Sequence, residues 1–404
     1  MRQQYEPSAD RIIALYQQLE DDILSAVIRR ILKMGYVSEA SKHQLEVLQA
    51  AGLLYDDIVQ LIADRTDACT AQVKALFEDA GVQTVSIDNS LHEAAGALPI
   101  DIRQDSSTRQ VLEAGYKKTL GTMRNLVSTT ATQTQTAFIQ TCDRIYMQVS
   151  SGAFSYQEAI MNALRALADT GAEVVYPTKH KDRMDVAVRR CVLTGVSQTA
   201  AAVSLRQAED AGCYLMEITA HSGARPDHAK WQGQLVTITG KDAGKIIDGL
   251  RVFTLSEIGY GSGEGFKGWN CRHNWHAYYP GLSTPNYTPE ELKKLDEPCI
   301  SYNGKLYTEY EVSQMQRAQE RRVRAWKRRC ITAQEGVNSA TDAATRATAQ
   351  AEFDRSARYL KTNEAKLKDF CRQTGQDRDR FREQVLGFGR SEAQRAVHAV
   401  KKNG

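Results

Sequence analysis

Apolar residues recur at three- and four-residue spacing from Ile12 to Ile31, through Leu15, Leu19, Ile23 and Val27. Tyr16, Leu24 and Ile28 widen the stripe. That period marks one face of an α-helix. With Ser8 as N-cap, Asp10 in the first turn and Gly35 as the stop, the pattern predicts a helix over 8–34. Similar patterns predict helices over 39–50 and 53–80, the second ended by Gly81. Gly96 and Pro99 interrupt 81–104, which reads as a linker or a short irregular unit. Residues 105–150 are rich in Thr and Gln, yet keep Leu126, Ala137, Ile145 and Tyr146. Weak helix formers with a residual apolar pattern predict a long helix held by packing, with a low-complexity flexible segment as the alternative.

From 151 the pattern changes. Ser155 and Glu158 form a capping box opening a helix to Asp169, stopped by Gly171. Glu173–Tyr176 is β-branched and closed by Pro177, which predicts a strand. Residues 181–211 read as one helix, or two broken near Gly195. Cys213–Ala220 and Gln234–Thr239 alternate as strands do. Beyond Gly281, Thr288, Pro289 and Glu291 begin a short helix. Ile300–Tyr307 reads as a hairpin turning at Asn303-Gly304, and Thr308 with Glu311 caps a helical pattern that runs with few breaks to about 386. The expected fold is α+β: a mostly helical chain with a central small α+β domain and long N- and C-terminal helices. Its expected segments are an N-terminal helical region (1–104), a long polar connecting helix (105–150), the α+β domain (151–282) and a basic helical C-terminal region (283–404).

Composition narrows this picture. With 42% hydrophobic and 25% charged residues, the 404-residue chain can bury a substantial core. Its eight cysteines contain no CxxC pair, which suits a reducing compartment. The N-terminus lacks a signal-peptide apolar region, and no apolar run approaches a membrane span. A protein made in the cytosol, and used there or packed into something assembled there, is expected. The net charge of +3 conceals an asymmetry: residues 1–100 carry 8 Lys and Arg against 15 Asp and Glu, and residues 301–404 carry 22 against 13. The basic residues concentrate at Arg317, Arg321, Arg322, Arg324, Lys327, Arg328 and Arg329. That run is the candidate DNA-binding element, because contacts to phosphate need no sequence code. Docking on an acidic protein ring is the alternative. Trp326, inside the run, suits either base stacking or a helix interface.

The candidate chemistry lies in His221–Gly281. Four of the eight His, three of the four Trp and eleven of the 27 Gly fall there, so loops hold a constellation of side chains that nothing else in the chain matches. His221, His228, Cys271 and His273 make a candidate Cys-His₃ set for a structural Zn²⁺, since neutral imidazole and thiolate are the ligands zinc prefers. The alternative is a buried hydrogen-bonded network, joined by Arg225, Asp227 and Arg272, that holds a Gly-rich loop shut. Gly259–Gly265 lacks the Lys-Ser/Thr of a phosphate loop and reads as an ordered turn.

The same stretch resembles a family. His221, Gly223-Ala-Arg-Pro226, His228, Trp231-Gln-Gly233, Gly259-Tyr-Gly261, Gly263, Gly268, Asn270-Cys-Arg-His273 and Pro280-Gly281 look like the signature of tailed-bacteriophage minor capsid proteins, similar to the F protein of phage Mu. The resemblance covers about sixty residues directly. It implies a virion component in the capsid interior at the portal vertex, associated with head morphogenesis and with DNA packaging or ejection. It implies the portal protein, the major capsid protein or scaffold, and packaged double-stranded DNA as partners, with no membrane in the capsid. Weighed residue by residue, the stretch gives no expected catalytic residue and no cofactor beyond that zinc. A second reading comes from Asn270, His273, Asn274 and His276, which loosely resemble His-Asn-His sites. It is a metal-dependent nuclease or other nucleic-acid enzyme carried in the phage head. No ββα pattern surrounds them.

Overall fold

The computed structural model describes residues 2–176, 178–385 and 387–402. Pro177 and the side chain of Ser8, both given roles above, lie outside the described residues. In chain order the elements are α1 (Arg2–Met34), α2 (Ala40–Ala94), α3 (Ser106–Ser150), α4 (Tyr156–Thr170), β1 (Glu173–Val175), β2 (Lys181–Arg183), α5 (Met184–Asp210), β3 (Leu215–Ile218), α6 (Pro226–Ala229), β4 (Leu235–Thr237), β5 (Ile246–Ile247), β6 (Leu250–Thr254), β7 (Trp275–Tyr278), α7 (Pro289–Lys294), β8 (Ile300–Tyr302), β9 (Lys305–Tyr307), α8 (Glu309–Ser339), α9 (Ala343–Thr374) and α10 (Arg390–Lys402). The fold is the mostly helical α+β chain expected, with long helices on both sides of a small sheet.

Several elements differ from expectation. α1 begins at Arg2, so Ser8 lies inside the helix and not at its start. The helices predicted at 39–50 and 53–80 are one, because α2 runs through both Gly52 and Gly81. A Cβ at Gly52 would meet nothing, so the helix simply tolerates that residue. A Cβ at Gly81 would come within 2.6 Å of Leu112 Cδ1, so this glycine serves the packing of α2 on α3. Only 95–105 is left of the expected linker, and Asn89 pins it: its side-chain amide donates to the Ile100 carbonyl at 2.8 Å and accepts from the Ile100 amide at 2.9 Å. α5 is unbroken at Gly195, which agrees with the first of the two readings of 181–211. The C-terminal helical stretch divides at 340–342, where Asp342 caps α9 by accepting from the Thr345 amide.

The chain forms two compact units, one from Met1–Ile12, Cys69–Met123 and Arg189–Gln314, the other from Ile13–Ala68, Arg124–Val188 and Met315–Gly404. The four consecutive segments expected at 1–104, 105–150, 151–282 and 283–404 are therefore not the compact units of the fold. The helices are long enough for one helix to serve both.

In the first unit, α3 and α5 cross through small residues. A Cβ on Gly115 would collide with Thr199, and a Cβ on Gly195 would collide with Thr119. The same unit holds a five-stranded mixed sheet in the order β5-β6-β4-β3-β7, with only β4 and β6 parallel. Alternation sends Met216, Ile218, Val236, Phe253, Trp275 and Ala277 to one face, where they pack with Ala201 and Ala208 of α5 and with Trp231 and Phe266. Leu215, Leu235, Leu250, Val252 and Tyr278 cluster apart from them. The β8–β9 hairpin turns at Asn303 (φ 48°) and Gly304 (φ 76°), the two positive dihedrals of a type I′ turn.

In the second unit, α4 opens with the predicted capping box of Ser155 and Glu158. α4, α8 and α9 meet at Gly336, where a Cβ would approach Leu164 and Ala349.

Candidate functional site

The stretch singled out in the sequence lies wholly in the first unit. After β3 the chain turns at 219–225, and Pro226 at the first helical position starts the single turn α6. This turn carries His228 into the interior at 2% exposure. The ends of the stretch are tied together where Asn274 donates its amide to Thr219 Oγ1 (2.8 Å) and Thr219 returns its amide to the Asn274 carbonyl (2.8 Å). Cys271 and His273 sit just before β7, both 2% exposed. One ligand atom from each of His228, Cys271 and His273 lies within 4.8 Å of the other two. His221 is half-buried at the edge of this group, its ring centroid 4.4 Å from that of His273. Trp231 closes the wall at 4.4 Å from His228 and 4.7 Å from His273.

The Gly-rich loop closes on itself. Gly265 donates its amide to Ser262 Oγ at 3.0 Å, and Phe266 donates to the Ile258 carbonyl at 2.9 Å. Gly268 donates to Gly265, and Trp269 to Gly263. A Cβ on Gly265 would strike the Gly259 backbone, so the loop requires that residue to be glycine. Those amides are spent internally and do not line a phosphate cradle. Arg225 fastens the loop to α6: it pairs with Glu264 Oε2 at 2.9 Å, donates to the Glu264 carbonyl and reaches His228 Nε2 at 2.6 Å.

The imidazoles are held neutral. Burial pushes His273 down to about 2, reinforced by the neighbouring His221 and His228. Burial also lowers His221 and His228, only partly opposed by their bonds to the carbonyls of Ser222 and Glu264.

Both arrangements expected from the sequence leave their mark here. Three of the four candidate ligands, His228, Cys271 and His273, come together with the His221 ring beside them, and a hydrogen-bonded network surrounds them. Arg225 belongs to that network, and Asp227, although exposed, flanks it at 3.6 Å from Arg225 and 3.8 Å from His228; Arg272 is exposed. The sequence reading missed Gln232, Lys267 and Glu217. Gln232 Oε1 faces both the His221 amide (3.3 Å) and His273 Nε2 (3.2 Å). Lys267, 3% exposed, donates to Asn274 Oδ1 at 2.8 Å and binds Ser197 of α5 at 3.3 Å. Glu217, fully buried on β3, meets His276 Nε2 at 3.3 Å and accepts from Asn286 at 2.8 Å. The strand alternation around Glu217 was visible, but nothing local marked its polar partners 59 and 69 residues away.

The basic run of α8 is not one exposed stripe, which corrects that part of the reading. Arg324 pairs with Asp185. Arg328, 5% exposed, lies 3.6 Å from Glu20, which Arg183 also pairs at 2.8 Å. Arg329 grips Asp169 with two bonds of 2.9 and 2.7 Å. Lys327 donates to the Glu383 carbonyl at 2.9 Å. Trp326 stacks on Tyr359 at 4.5 Å with Arg329 over its ring, so it packs between helices. Buried carboxylates must be matched by buried cations, and α8 supplies them. Arg317 is half-buried and engaged, whereas Arg321 and Arg322 are exposed.

The chain belongs to the phage minor capsid protein 2 family, whose model matches residues 2–372. It is similar to a protein named "Structural protein" of Lactococcus phage LL-H, 24% identical over 333 residues that cover 80% of this chain and 86% of that protein. A second "Structural protein", of Lactococcus phage mv4, is 36% identical over 90 residues, covering 22% of this chain and 64% of that protein. No solved structure matches. Among the described residues, no helix is long and apolar enough to cross a membrane.

Proposed function

We propose that this member of the minor capsid family is a structural, non-enzymatic component of a tailed-phage head, located in the capsid interior at the portal vertex. There it contacts the portal protein, the capsid shell or scaffold, and packaged double-stranded DNA, and assists packaging or ejection. The observation that carries the reading is the extent of the family match, which runs through both compact units and not only the Gly-rich stretch. The motif resemblance supplies the portal vertex. The site chemistry supports a structural role over a nuclease: His273 is buried, and Asn274 is engaged by Lys267 and Thr219. A nuclease needs a histidine that can reach a water and a phosphate.

Cross-linking mass spectrometry on purified heads tests the placement. Links to portal subunits, at a copy number far below that of the major capsid protein, are expected. Links spread evenly over the shell would overturn it. Incubation of the purified protein with plasmid DNA and Mg²⁺ or Mn²⁺ tests the enzymatic alternative, and cleavage lost in His273→Ala would establish it.

A further inference from the structure

The three histidines of the candidate site share a hydrogen-bonding pattern that a closed network alone does not require. Each presents one ring nitrogen to an acceptor oxygen. His221 Nδ1 lies 2.8 Å from the Ser222 carbonyl. His273 Nε2 lies 3.2 Å from Gln232 Oε1, and that oxygen is identified as the acceptor because the His221 backbone amide also donates to it. His228 Nε2 lies 2.9 Å from the Glu264 carbonyl. Metal-ligating histidines are held in this way, with one N–H donated outward and the opposite nitrogen left as a lone pair for the ion.

Two of the remaining nitrogens are placed for that role. His221 Nε2 is buried and finds no hydrogen-bonding partner among the described residues. His273 Nδ1 lies 3.6 Å from Cys271 Sγ. With zinc bonds of about 2.0–2.1 Å to nitrogen and about 2.3 Å to sulfur, two tetrahedral ligands of these kinds sit roughly 3.5 Å apart. The Cys271–His273 pair is therefore already at ligand spacing, and the ligand atoms of His228, Cys271 and His273, all within 4.8 Å of one another, need close by no more than roughly an ångström on binding. We infer that His221, His228, Cys271 and His273 form a closed structural Zn²⁺ site, with Ser222, Gln232 and Glu264 as the oxygens that orient its imidazoles. In the bound tautomer His228 Nε2–H donates to Glu264; Arg225, whose guanidinium can only donate, gives up its 2.6 Å contact with that nitrogen and keeps its bonds to Glu264. The ion would clamp the turn after β3 and α6 to the segment leading into β7. Four protein ligands leave no open position, so the site holds the fold and offers no water for chemistry. Nothing in this inference depends on where in the virion the protein resides.

The full-length protein, purified without a metal-affinity tag, provides the test. Elemental analysis is expected to find about one zinc per chain. After chelation, Co²⁺ should restore the visible bands of a tetrahedral ion together with a near-ultraviolet thiolate-to-cobalt band. Cys271→Ser should abolish the thiolate band. Gln232→Leu should weaken Co²⁺ affinity by roughly 10–100-fold while Gln232→Glu largely preserves it. Circular dichroism checks that each variant folds; if Cys271→Ser does not, the wild-type spectrum still decides. Wild-type protein without zinc and without a thiolate–cobalt band overturns the proposal. So does bound metal whose spectrum is unchanged in folded Cys271→Ser, since that ion would be adventitious only.

Discussion

The ring of His221 lies 4.4 Å from the ring of His273, although one follows β3 and the other precedes β7. The two strands are neighbours in the sheet, so their loop ends meet. This contact brings together the two halves of a motif that the sequence separates by a long Gly-rich excursion, and it makes the site sensitive to acid.

In chelator-treated protein, stability should fall as the pH drops below the unfolded histidine value of about 6.5. His273 is pushed down to about 2 and His221 and His228 are also lowered, so the folded state refuses protons that the unfolded chain accepts. The contribution is complete above about 6.5 and is lost on acidification. Urea unfolding followed by tryptophan fluorescence should lose on the order of 1–4 kcal/mol between pH 7.5 and 5.5. His273→Asn should flatten the profile.

Gly195→Ala should destabilise the first unit by about 1–3 kcal/mol, because the added Cβ collides with Thr119 across the α3–α5 crossing. Thr119→Ala in the same chain should recover part of the loss. A double-mutant cycle by thermal unfolding measures the coupling, and strict additivity would show that the collision is not the cause.

Arg324→Ala should cost roughly 3–5 kcal/mol, since it leaves Asp185, 3% exposed, without its closest cation. Arg321→Glu with Arg322→Glu should leave unfolding nearly unchanged but weaken binding to random duplexes and flatten its salt dependence. Fluorescence anisotropy at rising salt distinguishes Arg321 and Arg322 from Arg324.

Asp21→Asn should stabilise the protein above pH 7 and change little near pH 4. Burial raises the Asp21 carboxyl to about 7, against the amide of Gly387 that favours its charge. A raised carboxyl contributes stability that is present below its unfolded value and lost as the pH rises through the folded one. The gap at pH 8 should be on the order of 2–4 kcal/mol by chemical denaturation.

What the sequence revealed was local. The capping boxes at Ser155, Thr288 and Thr308 and the Asn303-Gly304 turn lie where they were read, because each is decided within four residues. Gly81 misled, and Gly195 left two readings open, for the opposite reason. A glycine written as a helix stop and one written as a helix crossing look alike until Leu112 or Thr119 is in place. β5, β6 and β7 went unread because they are short and sit among glycines, with only the sheet to order them. The four candidate ligands were legible as residue types, yet Gln232 could not be ranked among dozens of polar residues before His221 and His273 met over it. The basic run of α8 misled most: charge density read as a surface, while Glu20 and Asp185 waited far upstream to draw Arg324 and Arg328 inside.

The chain passes between its two compact units at five points, after Ile12, Ala68, Met123, Val188 and Gln314. Neither unit is therefore a product of one uninterrupted length of polypeptide. During synthesis the first cannot close until residues near 314 have left the ribosome, and the second must wait for the C-terminal helices. A protease that nicks one connection frees neither unit, and a gene trimmed at any single boundary encodes two halves of different structures. Such threading makes completion of the chain a condition of having any fold at all.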